Sequence, residues 1–443
     1  MNVKLKGLVQ EIEPLLVQYR RNFHKYPEAG WTEFRTAAKI TEILLELGYS
    51  VKLGADAVSK SDMLGVPPEE ELKIHMNRAV KQGANPELVK EMEGGLTGII
   101  AELNCGEGPT VALRFDMDAN DIDEPKEEKH RPFREGFSSE NPGVMHACGH
   151  DGHAAIGLGV ARMIVKIKDL LQGKIRLIFQ PGEEGVRGAK AMVARGAADG
   201  VDYILGAHIG FQATKNRQLI CGTGHFLATS KLDVSFTGIP AHAGAAPEEG
   251  HNALLAAACA ALNLHAISRH GKGSTRITVG TLNAGQARNV IPPHAEMKIE
   301  TRGETTEINE YMVNSVRDII AGAAKMYGVD YEIKIVGETI SGESSPELIT
   351  KVKDIAQGTG LFTELIDYVS FGASEDFTAF MTTVQKNGGQ GTYMMIGSQL
   401  ASGHHDYYFD FDEATLACSV ELLLEIVVNL IGKCQEDRII NIT

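Results

Sequence analysis

Three of the chain's fifteen histidines fall within eight residues, in Met145-His146-Ala147-Cys148-Gly149-His150-Asp151-Gly152-His153. Imidazole and thiolate are the ligands that a borderline-soft ion such as zinc prefers. The two glycines allow a tight turn, so that Cys148 and His150 can point inward. More metal-binding and acid/base side chains follow at a distance: Asp116-Met117-Asp118, Glu183-Glu184, His208 and His404-His405-Asp406. Each has an ordinary explanation by itself, since paired glutamates often cap helices and a single histidine is usually a core or surface residue. Their joint placement is what matters, because each group follows a short apolar run expected to form a strand. In open α/β sheets ligands gather at the carboxyl ends of strands.

Adjacent carboxylates suit hydrolysis. One can bind a metal ion while its neighbour takes a proton from water and returns it to a leaving amine. Five or so ligands exceed what one tetrahedral ion needs, so a pair of ions about 3.5–4 Å apart fits better.

The elements that must position these groups are legible as hydrophobic periodicity. Helices are expected over 4–23 and 32–47, with Pro27 ending the first and Gly48 the second. Residues 54–95 read as a helical insertion. Pro67-Pro68 and three glutamates open one helix, and Asn85-Pro86 supplies an N-cap and a first-turn proline for the next. From Gly98 strands alternate with helices: strands 99–103, 111–115, 175–179 and 203–207, helices 154–167 and 186–195. This pattern implies an α/β sheet covered on both faces. Residues 226–336 change order to β-α-β-β-α-β, the split βαβ or ferredoxin-like arrangement. Helix 345–357, strand 392–396 and an apolar helix 416–430 then resume the first pattern. The expected organisation is a metal-binding catalytic domain of residues 1–224 and 338–443, with a second domain of residues 225–337 inserted into it.

Composition narrows the partners. The 443 residues are 43% hydrophobic and 23% charged, with a net charge of -15. An acidic surface without basic runs argues against nucleic acid or an anionic membrane. No stretch comes near the apolar length of a membrane span, and the first nineteen residues read as an amphipathic helix, not a signal peptide. Six scattered cysteines (105, 148, 221, 259, 418 and 434) suggest reduced thiols and a cytoplasmic location.

The Met145–His153 stretch, Gln180-Pro181-Gly182-Glu183-Glu184-Gly185 and Gly238-Ile239-Pro240-Ala241-His242-Ala243-Gly244 closely resemble the amidohydrolase branch of the aminoacylase/carboxypeptidase dinuclear metallopeptidase superfamily. That branch includes hippurate and auxin-conjugate hydrolases. The 54–95 insertion, Arg131-Pro132-Phe133-Arg134-Glu135-Gly136-Phe137 and Ala401-Ser402-Gly403-His404-His405 place the likeness nearest to hydrolases of p-aminobenzoyl-glutamate.

The resemblance implies a set of roles. Cys148, His150, Glu184, His208 and His405 match metal ligands, with two divalent ions, manganese or zinc, per subunit. His405 is preferred to His404 because the ligand in relatives stands four residues before the aromatic at Phe409. Glu183 matches the general base. Asp116 stands where other branches carry a ligand histidine, so it is not expected to bind metal. Asp118 is expected to support a ligand from behind, or to be a simple helix cap, and Asp151 to orient a ligand imidazole. The inserted domain matches a lid that dimerises. There His242 would stabilise an oxyanion in the partner subunit's site, and Asn289 and Arg302 would bind the substrate carboxylate, although Arg302 could equally be a solvated strand end. The implied reaction is hydrolysis of N-acyl amino acids, p-aminobenzoyl-glutamate first. A broader N-acyl amino acid hydrolase and a non-catalytic subunit are the alternatives. The assembly would be a homodimer through the lid or a heterodimer with a B-type subunit.

Overall fold

The computed structural model describes residues 2–433. These divide into two compact units, residues 2–224, 343–371 and 376–433 in the first and 225–342 with 372–375 in the second. Cys434 lies outside the described residues. The five described cysteines are all free.

The first unit is built on a mixed eight-stranded sheet. Its centre is four parallel strands in the order Lys174–Gln180, Thr110–Asp116, Tyr203–Ile209 and Gln390–Ile396. Strands buried on both faces read as continuous apolar runs, and Thr110–Asp116 is buried at every position. On one side Ile99–Asn104 and then Ser50–Lys52 extend the sheet antiparallel. On the other, Gln218–Ile220 and Glu364–Ile366 complete it. These last two strands and Ser50–Lys52 have only three residues each, too short to leave a periodic signal.

Helices flank this sheet on both faces. Along Tyr203–Ile209, Gly206 abuts Phe377 while Ile209 abuts Gly152. Three residues apart on a strand means opposite faces, so helices Phe377–Lys386 and His150–Ile167 lie on opposite sides. The latter packs with Asn2–Lys25 and Ala414–Ile431. Ala414–Ile431 corrects one expectation: it is long and apolar enough to cross a membrane. Most of it is buried in this unit's core, where Leu416, Val420, Leu424 and Val427 are inaccessible. The insertion contains helices Glu69–Lys81 and Pro86–Glu91, and the Asn85 side chain accepts from the Glu87 amide at 3.0 Å.

The second unit is an antiparallel sheet in the order Asp330–Thr339, Ala228–Thr237, His294–Gly303, Thr275–Ala284. Helices Ala253–His265 and Thr306–Tyr327 pack against it, giving the chain order β-α-β-β-α-β. Alternate burial along His294–Gly303 shows one covered face. Asn252 and Thr305 cap the two helices by accepting from Leu255 N and Ile308 N. This unit extends past the expected end at 337 because the last strand pairs as far as Thr339 with Thr229, and the Leu227 amide donates to the Ala373 carbonyl.

Candidate metal centre

The four parallel strands run in one direction, so their carboxyl ends deliver side chains to one edge of the first unit. Asp116 ends its strand, Glu183 and Glu184 follow Lys174–Gln180, and His404 and His405 follow Gln390–Ile396. His208 lies within its strand, one residue before the end.

The histidine-rich stretch is half helix. The helix begins at His150, not at 154, and Gly149 precedes it with φ +91°. A left-handed residue there costs a glycine nothing, and it separates Cys148 from His150 by a sharp bend. Gly152 plays a different part from the turn expected of it. It lies within the helix, where an added Cβ would meet Phe411 and Ile209 at 2.6 and 2.8 Å.

Hydrogen bonds fix which ring nitrogens remain available. His150 Nδ1 donates to the Asp118 carbonyl at 3.0 Å. Its buried Nε2 has no hydrogen-bond partner among the described residues, and the carboxylates of Asp116, Glu184 and Glu183 stand 3.8, 3.9 and 4.0 Å away. His208 Nδ1 donates to the Ile209 carbonyl at 2.8 Å, leaving Nε2 3.4 Å from Cys148 Sγ. His405 Nε2 lies 3.1 Å from Glu184 Oε2. Its backbone is left-handed, φ +65°, and its amide donates to the Ala147 carbonyl at 2.8 Å, tying this loop to the residue before Cys148.

Three donor groups result, each with its atoms within 4.8 Å of one another: Cys148–His150–His208, Cys148–Glu184–His405 and His150–Glu183–Glu184. The first two share Cys148. A buried imidazole nitrogen without a partner, beside thiol and carboxylate donors, is the arrangement a cation would complete. His404 is directed elsewhere: its Nε2 donates to the Ile209 carbonyl at 3.0 Å and its ring stacks on Phe211 at 4.2 Å.

Asp116 and His153 form a fourth group with His150, but their atoms are already engaged. Arg114 and His153 Nδ1 both donate to Asp116 at 2.5 Å, and the Ile209 amide donates to His153 Nε2 at 3.0 Å.

Asp118 caps no helix. Its Oδ2 accepts from the Glu184 amide at 3.0 Å while its carbonyl holds His150, so one residue orients both. Asp151 corrects the expectation placed on it. It accepts from Arg20 Nε and His24 Nδ1, both at 2.8 Å, and among the described residues hydrogen-bonds to the ring of neither His150 nor His208. Its work is to fasten the amino-terminal helix to the start of His150–Ile167.

Glu33 and Arg187 carried no motif and went unmarked in the sequence. Glu33 is fully buried and accepts from the Gly182 amide at 2.9 Å, while its other oxygen meets Thr97 Oγ1 at 2.7 Å. Burial, then the charge of Asp118, pushes its carboxyl well above the usual range.

Burial and neighbouring charges favour the ligand form at His208 and Glu184, and the protonated form at Cys148 and His150. Burial, then His153 and His404, pushes His208 well below its ordinary value, keeping it a neutral imidazole. Burial and the neighbouring Glu184 push the Cys148 thiol well up, a balance that a cation reverses. Burial would raise Glu184, but the hydrogen bond from His405 and the charges of His150 and His405 bring it down to about 2.

The remaining expected residues belong to the second unit. His242 is exposed, and its Nδ1 accepts from the Gly244 and Ala245 amides at 3.2 and 3.1 Å, which places the ring proton on Nε2. Asn289 is exposed, with its carbonyl accepting from the Ala243 amide at 3.1 Å. Arg302 directs Nε and Nη2 onto Glu300 at 3.0 and 3.1 Å, so its fork is filled.

Comparison with known proteins agrees with this geometry. The chain is 47% identical over 427 residues to the indole-3-acetyl-aspartic acid hydrolase of Enterobacter agglomerans, covering 96% of this chain and 98% of the relative. It matches a p-aminobenzoyl-glutamate hydrolase subunit of Escherichia coli K12 with the same identity and coverage. Among solved structures, the aminobenzoyl-glutamate utilization protein of Klebsiella pneumoniae superposes with a TM-score of 0.84 at 39% identity, over 96% of this chain and 98% of that one. Residues 112–429 match peptidase family M20/M25/M40. A mixed sheet flanked by helices, metal-binding donors at its carboxyl edge and these matches lead to one assignment: the chain belongs to peptidase family M20/M25/M40 and is a metal-dependent hydrolase of the amidohydrolase kind.

Proposed function

We propose that this chain hydrolyses the amide bond of N-acyl amino acids whose acyl group is aromatic, with p-aminobenzoyl-glutamate as the foremost substrate, yielding p-aminobenzoate and glutamate. The observation that carries the reading is the pair of donor triads sharing Cys148, with Glu183 beside them. The relatives named above support the substrate class.

Cys148, His150 and His208 would hold one divalent ion, and Cys148, Glu184 and His405 a second, manganese or zinc; these supply Lewis acidity toward the amide carbonyl and toward water. Glu183 takes the proton from the attacking water and delivers it to the departing nitrogen. Asp118 keeps His150 in the tautomer that presents Nε2 and holds the Glu184 backbone. His242 would donate from Nε2 to the oxyanion in the partner subunit's site. Asn289 and Arg302 bind the substrate carboxylate, Arg302 after releasing Glu300.

The assembly we favour is a homodimer through the second unit. A heterodimer with a B-type subunit is the alternative, supported by relatives whose names mark them as one subunit of a hydrolase. A cytoplasmic location accords with five free cysteines.

The test is hydrolysis by the purified chain alone, loaded with manganese or zinc, of a panel of N-acyl amino acids, with metal content measured on the same samples. Preference for aromatic acyl-glutamate or acyl-aspartate is the expected result. Preference for other N-acyl amino acids would replace the substrate with the broader class. No hydrolysis at full metal loading would overturn the catalytic reading in favour of a non-catalytic subunit.

A further inference from the structure

Two relatives bear names that specify conjugates of acidic amino acids, aspartate in one and glutamate in the other. Such a substrate carries two carboxylates, one on the α-carbon and one on the side chain. Arg302 is assigned above to one of them, so a further cation is needed for the second.

Arg187 has the form such a group requires. It stands three residues after Glu184, at the end of a tight turn in which the Val186 amide donates to the Glu183 carbonyl at 2.6 Å and the Arg187 amide to the Gly182 carbonyl at 3.0 Å. Val186 occupies the left-handed region, φ +52°, which is unfavourable for a β-branched residue. Strain of this kind persists where the surroundings impose it, often at functional sites.

The turn folds the Arg187 side chain back over Gly185. A Cβ added at Gly185 would lie 1.9 Å from Arg187 Nε and 2.5 Å from its Cδ, so any side chain at 185 would displace Arg187 from this position. One end of that guanidinium is anchored, with Nη1 donating to the Gly65 carbonyl of the insertion at 3.3 Å. Nε is shielded and has no acceptor, and no carboxylate among the described residues pairs with Arg187. An arginine that is half-buried and left without an anion among the described residues, on the turn that carries Glu183 and Glu184, is a charge awaiting a partner.

We propose that Arg187 is the specificity residue for an acidic amino acid, pairing through Nη2 and, as the loop adjusts, Nε with the side-chain carboxylate of the glutamate or aspartate conjugate. This rests on the amidohydrolase reading above and adds the group that distinguishes acidic from neutral conjugates. The insertion then has a part in recognition, because Gly65 fixes the guanidinium's orientation.

The experiment compares wild type, Arg187→Met and Arg187→Lys on p-aminobenzoyl-glutamate and its neutral isostere p-aminobenzoyl-glutamine. Loss of a charge-assisted hydrogen bond predicts a fall of about 10- to 100-fold in the glutamate-to-glutamine ratio of kcat/KM for Arg187→Met, expressed mainly in KM. Arg187→Lys should keep part of the ratio. An unchanged ratio overturns the proposal, and so does an equal loss on both substrates with a lowered melting temperature, which would reduce Arg187 to a tether for the insertion. Calorimetric titration of the metal-loaded proteins with free glutamate and free glutamine separates this from failure of the amidohydrolase reading. If wild type hydrolyses neither conjugate yet binds glutamate in preference to glutamine, and Arg187→Met abolishes that preference, the recognition role stands alone. Equal binding of the two by wild type overturns it.

Discussion

Glu33 receives the amide of Gly182 at 2.9 Å, and through it a fully buried carboxyl holds the turn that carries Glu183 and Glu184. Because burial and Asp118 favour its protonated form, the oxygen facing Thr97 can donate, as an amide nitrogen would. Glu33→Gln is therefore expected to fold with near wild-type stability. Glu33→Ala leaves the Gly182 amide without its side-chain acceptor and the Thr97 hydroxyl with only the Gly95 carbonyl at 3.4 Å, and should cost about 1–3 kcal/mol, read by urea denaturation. Equal stability of the two variants would refute this account of the loop.

Cys148 is common to two donor triads, whereas His208 and His405 belong to one each. Wild type should bind about two ions per chain. Cys148→Ala should lower binding at both positions, and His405→Ala or His208→Ala at one. Elemental analysis after dialysis decides the matter; one ion retained by Cys148→Ala with full affinity would contradict a shared thiolate.

Removal of the ions by a chelator should lower the melting temperature, since the donors come from segments far apart in sequence and only the folded chain brings them together. Readdition of manganese or zinc should restore it. A chelator-treated protein shown to be metal-free, yet melting as before, would separate metal binding from fold stability.

Glu183→Gln keeps the shape and removes the base. The expected loss in kcat is about 100- to 10,000-fold with metal content unchanged. A variant equally poor in metal would instead place Glu183 among the ligands, as its position beside His150 and Glu184 permits.

His24 provides a pH signature away from the metal donors. Burial disfavours its charged form, but hydrogen bonds to Asp151 and Glu124 outweigh this and raise it to about 9 from 6.5. A raised folded value means that the contribution is complete below about pH 6.5 and disappears as pH climbs through 9. Its size is on the order of 3 kcal/mol. Denaturation of wild type and His24→Gln between pH 5 and 10 should show the largest gap at the acidic end. A gap that widens toward pH 10 would mean His24 is neutral in the fold.

The sequence displayed the fold where burial is periodic. Thr110–Asp116 and Lys174–Gln180 are apolar runs closed by polar residues, and Asn85-Pro86 announces its helix. What escaped were features without period: three-residue strands such as Gln218–Ile220, and the start of the helix at His150, which the neighbouring glycines disguised as a loop. Among the site candidates, residue type and spacing picked out Cys148, His150, Glu184, His208 and His405, which the structure brings together. Asp151 was misread because its partners, Arg20 and His24, lie more than a hundred residues earlier. Glu300, which fills the fork of Arg302, stands two residues before it on one strand and so on the same face, a local pairing that went unmarked. Glu33 and Arg187 acquire their meaning only from tertiary neighbours, the Gly182 amide and the Gly65 carbonyl. The one local trace of Arg187 was the glycine two residues before it.

The two triads also differ in when they can exist. Cys148, His150 and His208 have all been synthesised once the chain passes residue 208, whereas Glu184 must wait for His405. At ordinary elongation speeds roughly 200 further residues take about 10–40 s. Arg20 imposes a similar delay, since its partners Asp410 and Glu413 also come from the far end. During that interval a nascent chain offers one set of donors without the other, and the ion first captured during synthesis need not be the one the finished protein keeps.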